Sequence, residues 1–177
     1  MIDVLVILLV GIGLAWDLRT NRIPNWLTLS GMAAGLVING VLGSWPGLLL
    51  SAKGLLIGLL ILFIPFALGG LGGGDVKLLG AIGALKGTGF ILSAVLLTAL
   101  WGGAVALLAL IVSKRFKRLN DFLVGVKLFV YTRGKIGYDV MLPNEEVKAK
   151  DRLAVPYGIA IFLGTVSAYF ITLPLPA

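Results

Sequence analysis

Apolar residues fall into six runs, separated by short polar or glycine-rich breaks. They cover about Ile2 to Trp16, Trp26 to Leu42, Leu48 to Leu68, Val76 to Leu85, Gly89 to Val112 and Leu153 to Leu173. Crossing a hydrocarbon core of roughly 30 Å takes about 20 helical residues, and most runs come near that length. The fourth does not: from Asp75 to Lys86 a helix rises only about 18 Å at 1.5 Å per residue. The pattern predicts an all-α polytopic membrane protein, a six-helix bundle whose fourth helix is short. A carboxylate at the start of that helix then lies near a protein-lined cavity that water can reach. The opening run lacks a basic n-region and carries Asp3 instead. No small-x-small cleavage site follows it, so it is expected to be a retained helix.

Composition supports a membrane setting. Of 177 residues, 59% are hydrophobic and only 13% are charged, about half the usual charged share of roughly 25%. The 25 glycines suit helices that approach closely in lipid. The chain has no Cys and no His. That excludes thiol catalysis, a Cys-ligated zinc site, histidine general-base chemistry and structural disulfides. Neither a metal nor a cofactor is expected. The net charge of +7 is expected to mark cytoplasmic loops, not nucleic-acid binding.

Orientation follows from where that charge lies. With the N-terminus outside, the inner loops hold Arg19, Arg22, Lys77 and the ten basic residues from Lys114 to Arg152. Only Lys53 and Lys86 then fall outside, which agrees with the positive-inside rule. The expected location is the inner membrane, multi-pass, with both termini outside and Asp17 and Asp75 on the cytoplasmic side. The chain is expected to form one membrane domain over 1–177, with a basic cytoplasmic loop at about 114–152. Within that loop Phe116, Leu119, Phe122, Leu123, Val126 and Phe129 recur at helical spacing. They predict an amphipathic helix on the inner leaflet, a surface anchor or a docking place for substrate.

Two of the eight acids differ from the rest. Asp17 and Asp75 each abut a long apolar run, and an ionised Asp at mid-membrane costs about 2.5–3.5 kcal/mol on insertion scales. Read singly, each fits a bland role. Asp75 could cap the helix after the Gly69–Gly74 stretch. Asp17 could sit in a cap-and-turn loop, paired to Arg19 or Arg22, before Pro24 opens the next helix. Together they suggest more. Each follows an inward-running helix, so both can meet at one depth. Two close carboxylates do not both ionise easily, so the pair shares a proton. The ionised member can draw a proton from water while the other donates to a scissile carbonyl. A glycine-rich approach to Asp75 is expected to leave room for the peptide.

These residues resemble a known family. Gly72-Gly73-Gly74-Asp75 fits the GxGD signature of membrane aspartic proteases. Asp17 followed by Ile23-Pro24-Asn25 and Leu27-Thr28 looks like bacterial type IV prepilin peptidases, as do GGGDVKLLGAIGA at Gly72 to Ala84 and VPYGIAI at Val155 to Ile161. The resemblance covers about Trp16 to Tyr169. It implies that Asp17 and Asp75 form the catalytic pair of a prepilin leader peptidase. It implies cleavage of a basic prepilin or pseudopilin leader at the cytoplasmic face, just after a Gly. The cysteine-bearing N-methylation domain of longer relatives is missing, so the chain is similar to the small peptidases of Flp-type (tight-adherence) pilus systems. Gly72, Gly74, Lys77, Pro24, Asn25, Pro156 and Gly158 are candidates for substrate binding or support. Lys77 has a second reading as an inner anchor. Pro156 and Gly158 would let the last helix bend near the site.

Two rival readings remain at this stage. One is a related GxGD protease of other membrane peptides. The other is a non-enzymatic transporter or pilus-assembly scaffold with a buried Asp–Lys pair. Substrate identity and oligomeric state are not written in the sequence.

Overall fold

Long apolar segments with few breakers must satisfy their backbone internally, and here they do so as helices. The computed structural model describes residues 1–67, 71–112 and 157–171. Its elements are α1 (Ile2–Thr20), α2 (Asn25–Ala67), α3 (Gly73–Lys86), α4 (Thr88–Val112) and α5 (Gly158–Phe170). The chain divides into two compact units, one of residues 1–103 with 156–177 and one of residues 104–155. The site described below lies in the first. The basic loop at 114–152, its amphipathic stretch and Pro156 lie outside the described residues.

Six helices were expected; among the described residues there are five helical elements, one of which holds two arms. The second and third apolar runs form one element, α2, broken at Ser44 with φ 52° and ψ −143°. The segment Gly43 to Gly47, read as a loop, keeps the helical pattern on either side of that single residue. Gly47 permits the fold-back, since any side chain there would collide with the Asn39 carbonyl. The two arms of α2 therefore return on themselves. Pro24 sits just ahead of α2 and not in its first turn; its carbonyl accepts the Thr28 N–H at 3.4 Å.

α3 lies against both arms, the most extensive helix contact among the described elements. Gly31 faces Ala81 and Gly35 faces Ala84, so the first arm runs in the same sense as α3. Gly54 meets Gly83 and Gly58 meets Leu79, so the second arm runs opposite. Backbones touch at Gly35, Gly54 and Gly58, which is the packing that small residues allow in lipid. Almost all of α3 is buried, from Asp75 and Val76 through Leu78 to Leu85. Its 14 residues rise about 21 Å. It is the short helix expected from the sequence.

The C-terminal carbonyls of a buried helix need partners. For α3 they come from α2. Asn39 Nδ2 donates to the carbonyls of Ala84 at 2.9 Å and Leu85 at 3.2 Å, and Ser51 Oγ donates to Ala84 at 2.6 Å. Beyond them Lys86 pairs with Asp3 at 2.6 Å and lies over the rings of Phe90 and Tyr169. Asp3 opens α1 and Lys86 closes α3, so these two helices run antiparallel.

Among the described residues two helices are long and apolar enough, by length and composition, to cross a membrane: Asn25–Phe63, whose arms reverse at Ser44, with mean hydropathy 2.0, and Thr88–Leu108, with mean hydropathy 2.2. Most of each is not buried within the protein. Leu29, Val37, Leu60, Leu100 and Leu107 point outward, an apolar surface that suits hydrocarbon.

The carbonyl contacts make a testable claim. Asn39→Ala or Ser51→Ala should each lower stability by about 1–3 kcal/mol, because buried carbonyls lose donors. Denaturant unfolding in detergent micelles measures this. A wild-type midpoint for both variants would contradict it.

Candidate functional site

The last turn of α1 places the first acid. α1 ends at Thr20, and Asn21 takes the left-handed conformation (φ 50°, ψ 33°) that commonly closes helices. The Asn21 N–H donates to the Asp17 carbonyl at 2.8 Å. Thr20 Oγ1 donates to the carbonyls of Trp16 and Arg22 and tightens the turn. The chain then enters α2 through Ile23, which is buried.

The second acid stands in the first turn of α3. Asp75 Oδ2 reaches back to accept the Gly72 N–H at 3.0 Å, as an acid three residues into a helix does when it caps the start. Ile23 joins the two loops. A Cβ on Gly74 would lie 2.9 Å from Ile23 Cβ and 3.0 Å from its carbonyl oxygen.

At Gly74 the missing side chain makes room for a neighbour, while Gly72, Gly73 and Gly74 also line the cavity described next. Ile23 already occupies the room beside Gly74. A Cβ on Gly73 would meet the Phe66 ring at 3.4 Å, and one on Gly72 would meet the Asp75 carboxylate at 3.0 Å. The glycines let the α1–α2 turn and the start of α3 come together.

Between the two loops lies a cavity of about 360 Å³. Asp17, Asn21, Arg22 and Ile23 line one side, and Gly72 to Asp75 line the other. Asp17 is 5% exposed and Asp75 8%. Asp75 lies in neither of the two helices that are long and apolar enough to cross a membrane. Burial pushes its carboxyl up to about 6; the Gly72 N–H opposes that rise, and the Asp17 charge adds to it.

The Asp17 carboxylate is held from elsewhere. Its Oδ2 accepts the N–H of Gly158, the first residue of α5, at 2.8 Å. Among the described residues the ion pair is Lys86 with Asp3, so Asp17 is not bridged to Arg19 or Arg22.

Of the candidates read from sequence, Asp17, Asp75, Gly72 and Gly74 share this cavity, and Gly158 touches Asp17. Asn25 and Lys77 bond each other at 2.9 Å, Lys77 Nζ donating. Neither they nor Pro24 line the cavity. Asn21 and Arg22 do and were not singled out. The signal for Asn21 was its type and place, an Asn just after a helix, where left-handed closure is common.

The contact between Gly74 and Ile23 can be tested. Gly74→Ala should destabilise by about 1–3 kcal/mol through overpacking. Gly11→Ala, where a Cβ meets nothing within 4 Å, should leave the thermal midpoint in micelles unchanged. Equal midpoints for the two variants would refute the contact.

Comparison with curated proteins and with solved structures returned no match. Residues 4–107 match a family described as the type IV leader peptidase family. That stretch is more than half of the chain and holds the whole cavity lining; Gly158 lies beyond it. The chain therefore belongs to the type IV leader peptidase family.

Proposed function

We propose that the protein is an aspartic endopeptidase that removes the basic leader of type IV, Flp-like prepilins at the cytoplasmic face of the inner membrane. Family membership supports a peptidase. The observation that carries the finer reading is the pair of buried carboxylates, Asp17 and Asp75, lining one cavity.

A pair of this kind can hydrolyse a peptide with a water molecule and no other reagent. The ionised carboxylate takes a proton from the water as it attacks the scissile carbonyl carbon. The protonated carboxyl gives its proton to the carbonyl oxygen, and a tetrahedral intermediate forms. Its collapse breaks the C–N bond, and the leaving amine takes up a proton from the pair. One product is the leader with a new carboxylate. The other is the mature pilin with a new amine. Asp75, protonated up to about pH 6 by burial, is suited to the acid role.

Residue placement supports cytoplasmic-side cleavage. The site sits at the end of α1 and the start of α3, away from the Asp3–Lys86 pair. The charge count puts that end inside, together with Arg19, Arg22 and Lys77.

Asp17→Asn and Asp75→Asn should each lower leader removal on the order of 10²–10⁴-fold. Co-expression with a Flp-like prepilin, read as a gel shift, measures this. Wild-type cleavage by either variant would refute the assignment.

The pH profile has a definite sign. The Asp75 carboxyl titrates above its ordinary value, so its proton is present below about pH 6 and lost above it. The turnover of purified enzyme in proteoliposomes should therefore fall as pH rises through about 6. A rate that climbs steadily from pH 5 to 8 would reverse the role given to Asp75. Chelators and thiol or serine reagents should leave turnover unchanged, and loss of activity to any of them would point to other chemistry.

A further inference from the structure

We propose that Gly158 is a positioning residue of the carboxylate pair: its backbone N–H, at the start of α5, fixes Oδ2 of Asp17 and leaves the other oxygen for the reacting water. This rests on the aspartic reading above and extends it to a residue outside the stretch that matches the family.

Three observations carry it. The Gly158 N–H donates to Asp17 Oδ2 at 2.8 Å in a buried setting, across 141 residues of sequence. An N–H donated to a carboxylate favours its charged form and fixes its plane. Gly158 is also the first residue of α5, and the first N–H bonded within that helix is that of Ile161, to Tyr157. The Gly158 N–H would otherwise be an orphan donor, and the helix dipole points the same way. Lastly, no other residue type fits. A Cβ on Gly158 would lie 2.8 Å from Asp17 Oδ2 and 3.0 Å from Asp17 Cβ. Any side chain must push the carboxylate away from its place.

The two acids are thus held alike. Each has Oδ2 on a glycine N–H, Gly158 for Asp17 and Gly72 for Asp75. Among the described residues neither Oδ1 accepts a hydrogen bond, and both acids line the cavity. The difference lies in origin. The Gly72 bond is local to α3, whereas the Gly158 bond exists only when α5 is docked on α1. The site is complete only once the last helix is in place. Among the described residues, Asp75 from α3 and Arg22 from the α1–α2 turn line the cavity with Asp17, and Tyr157 precedes Gly158 in the chain.

The experiment has two parts. In proteoliposomes, Gly158→Ala should lower kcat about 10²-fold, as misplacement of a reacting group does. KM should stay near wild type, because the contact acts on chemistry and not on substrate binding. Gly11→Ala is the control and should behave as wild type. A Gly158→Ala enzyme with wild-type kcat, or one whose loss lies in KM and not in kcat, overturns the proposal.

The second part needs no folded Gly158 variant. Tyr–Gly occurs once in the chain, at Tyr157–Gly158. Carbonyl-13C tyrosine with 15N glycine therefore isolates the Gly158 amide as one NMR signal in the intact protein. That signal should lie downfield, as an amide donating to a carboxylate does, and should move upfield in Asp17→Asn. An amide with the same shift in both proteins overturns the proposal, whatever Gly158→Ala does. Failure of the wild-type enzyme to cleave any prepilin would instead sink the leader-peptidase reading, and the amide shift would still report whether Gly158 holds Asp17.

Discussion

A helix of 14 residues sealed among longer ones must have the polar groups at both its ends met by neighbours, and that requirement organises this protein. At the C-terminal end of α3, Asn39 and Ser51 from the two arms of α2 supply donors to Ala84 and Leu85. At its N-terminal end Asp75 turns back onto Gly72. A buried carbonyl without a donor costs about as much as a typical destabilising mutation. The reversal of α2 at Ser44 follows from the same need, because one straight helix could not bring Asn39 and Ser51 to the same carbonyl. Glycines at 35, 54 and 58 then let the arms close to backbone contact, and Gly31 admits the side chains of Leu9 and Ala81.

Burial of α3 also sets the chemistry. The acid that caps it is drawn into the protein, where desolvation raises its proton affinity. The contact of Gly74 with Ile23 brings the α1–α2 turn against that end and places Asp17 on the opposite wall of the cavity. The two sequence motifs are thus two sides of one packing contact. Neither motif contains the group that holds the Asp17 carboxylate. That group arrives on α5, from far along the chain.

The two ends of α3 are unlike. One is closed by the Asp3–Lys86 pair, with Lys86 over the rings of Phe90 and Tyr169. The other carries two acids around an open cavity. α1 and α3 run antiparallel between them. The outward apolar residues of α2 and α4 surround this polarised interior, which accounts for a chain so poor in charge.

Much was legible without coordinates, since hydrophobic run length and acid placement are local properties. Run length was enough to mark α1, α4 and a short α3, because a span obeys a simple length rule. Asp17 and Asp75 stood out because a carboxylate next to a long apolar run has few other uses. The break at Gly43 to Gly47 was legible, and the reversal falls in it; the sequence could not show that a single residue, Ser44, makes the break while the helical pattern resumes on each side. Nor could it show what the glycines do. A glycine-rich stretch looks the same whether it admits a substrate or a neighbouring side chain, and only the tertiary structure put Ile23 there. Lys77 was set beside the site by its nearness to Asp75 in sequence, but its partner is Asn25. The Gly158 bond to Asp17 spans almost the whole chain, and contacts of that range arise from how helices dock, which no local pattern encodes.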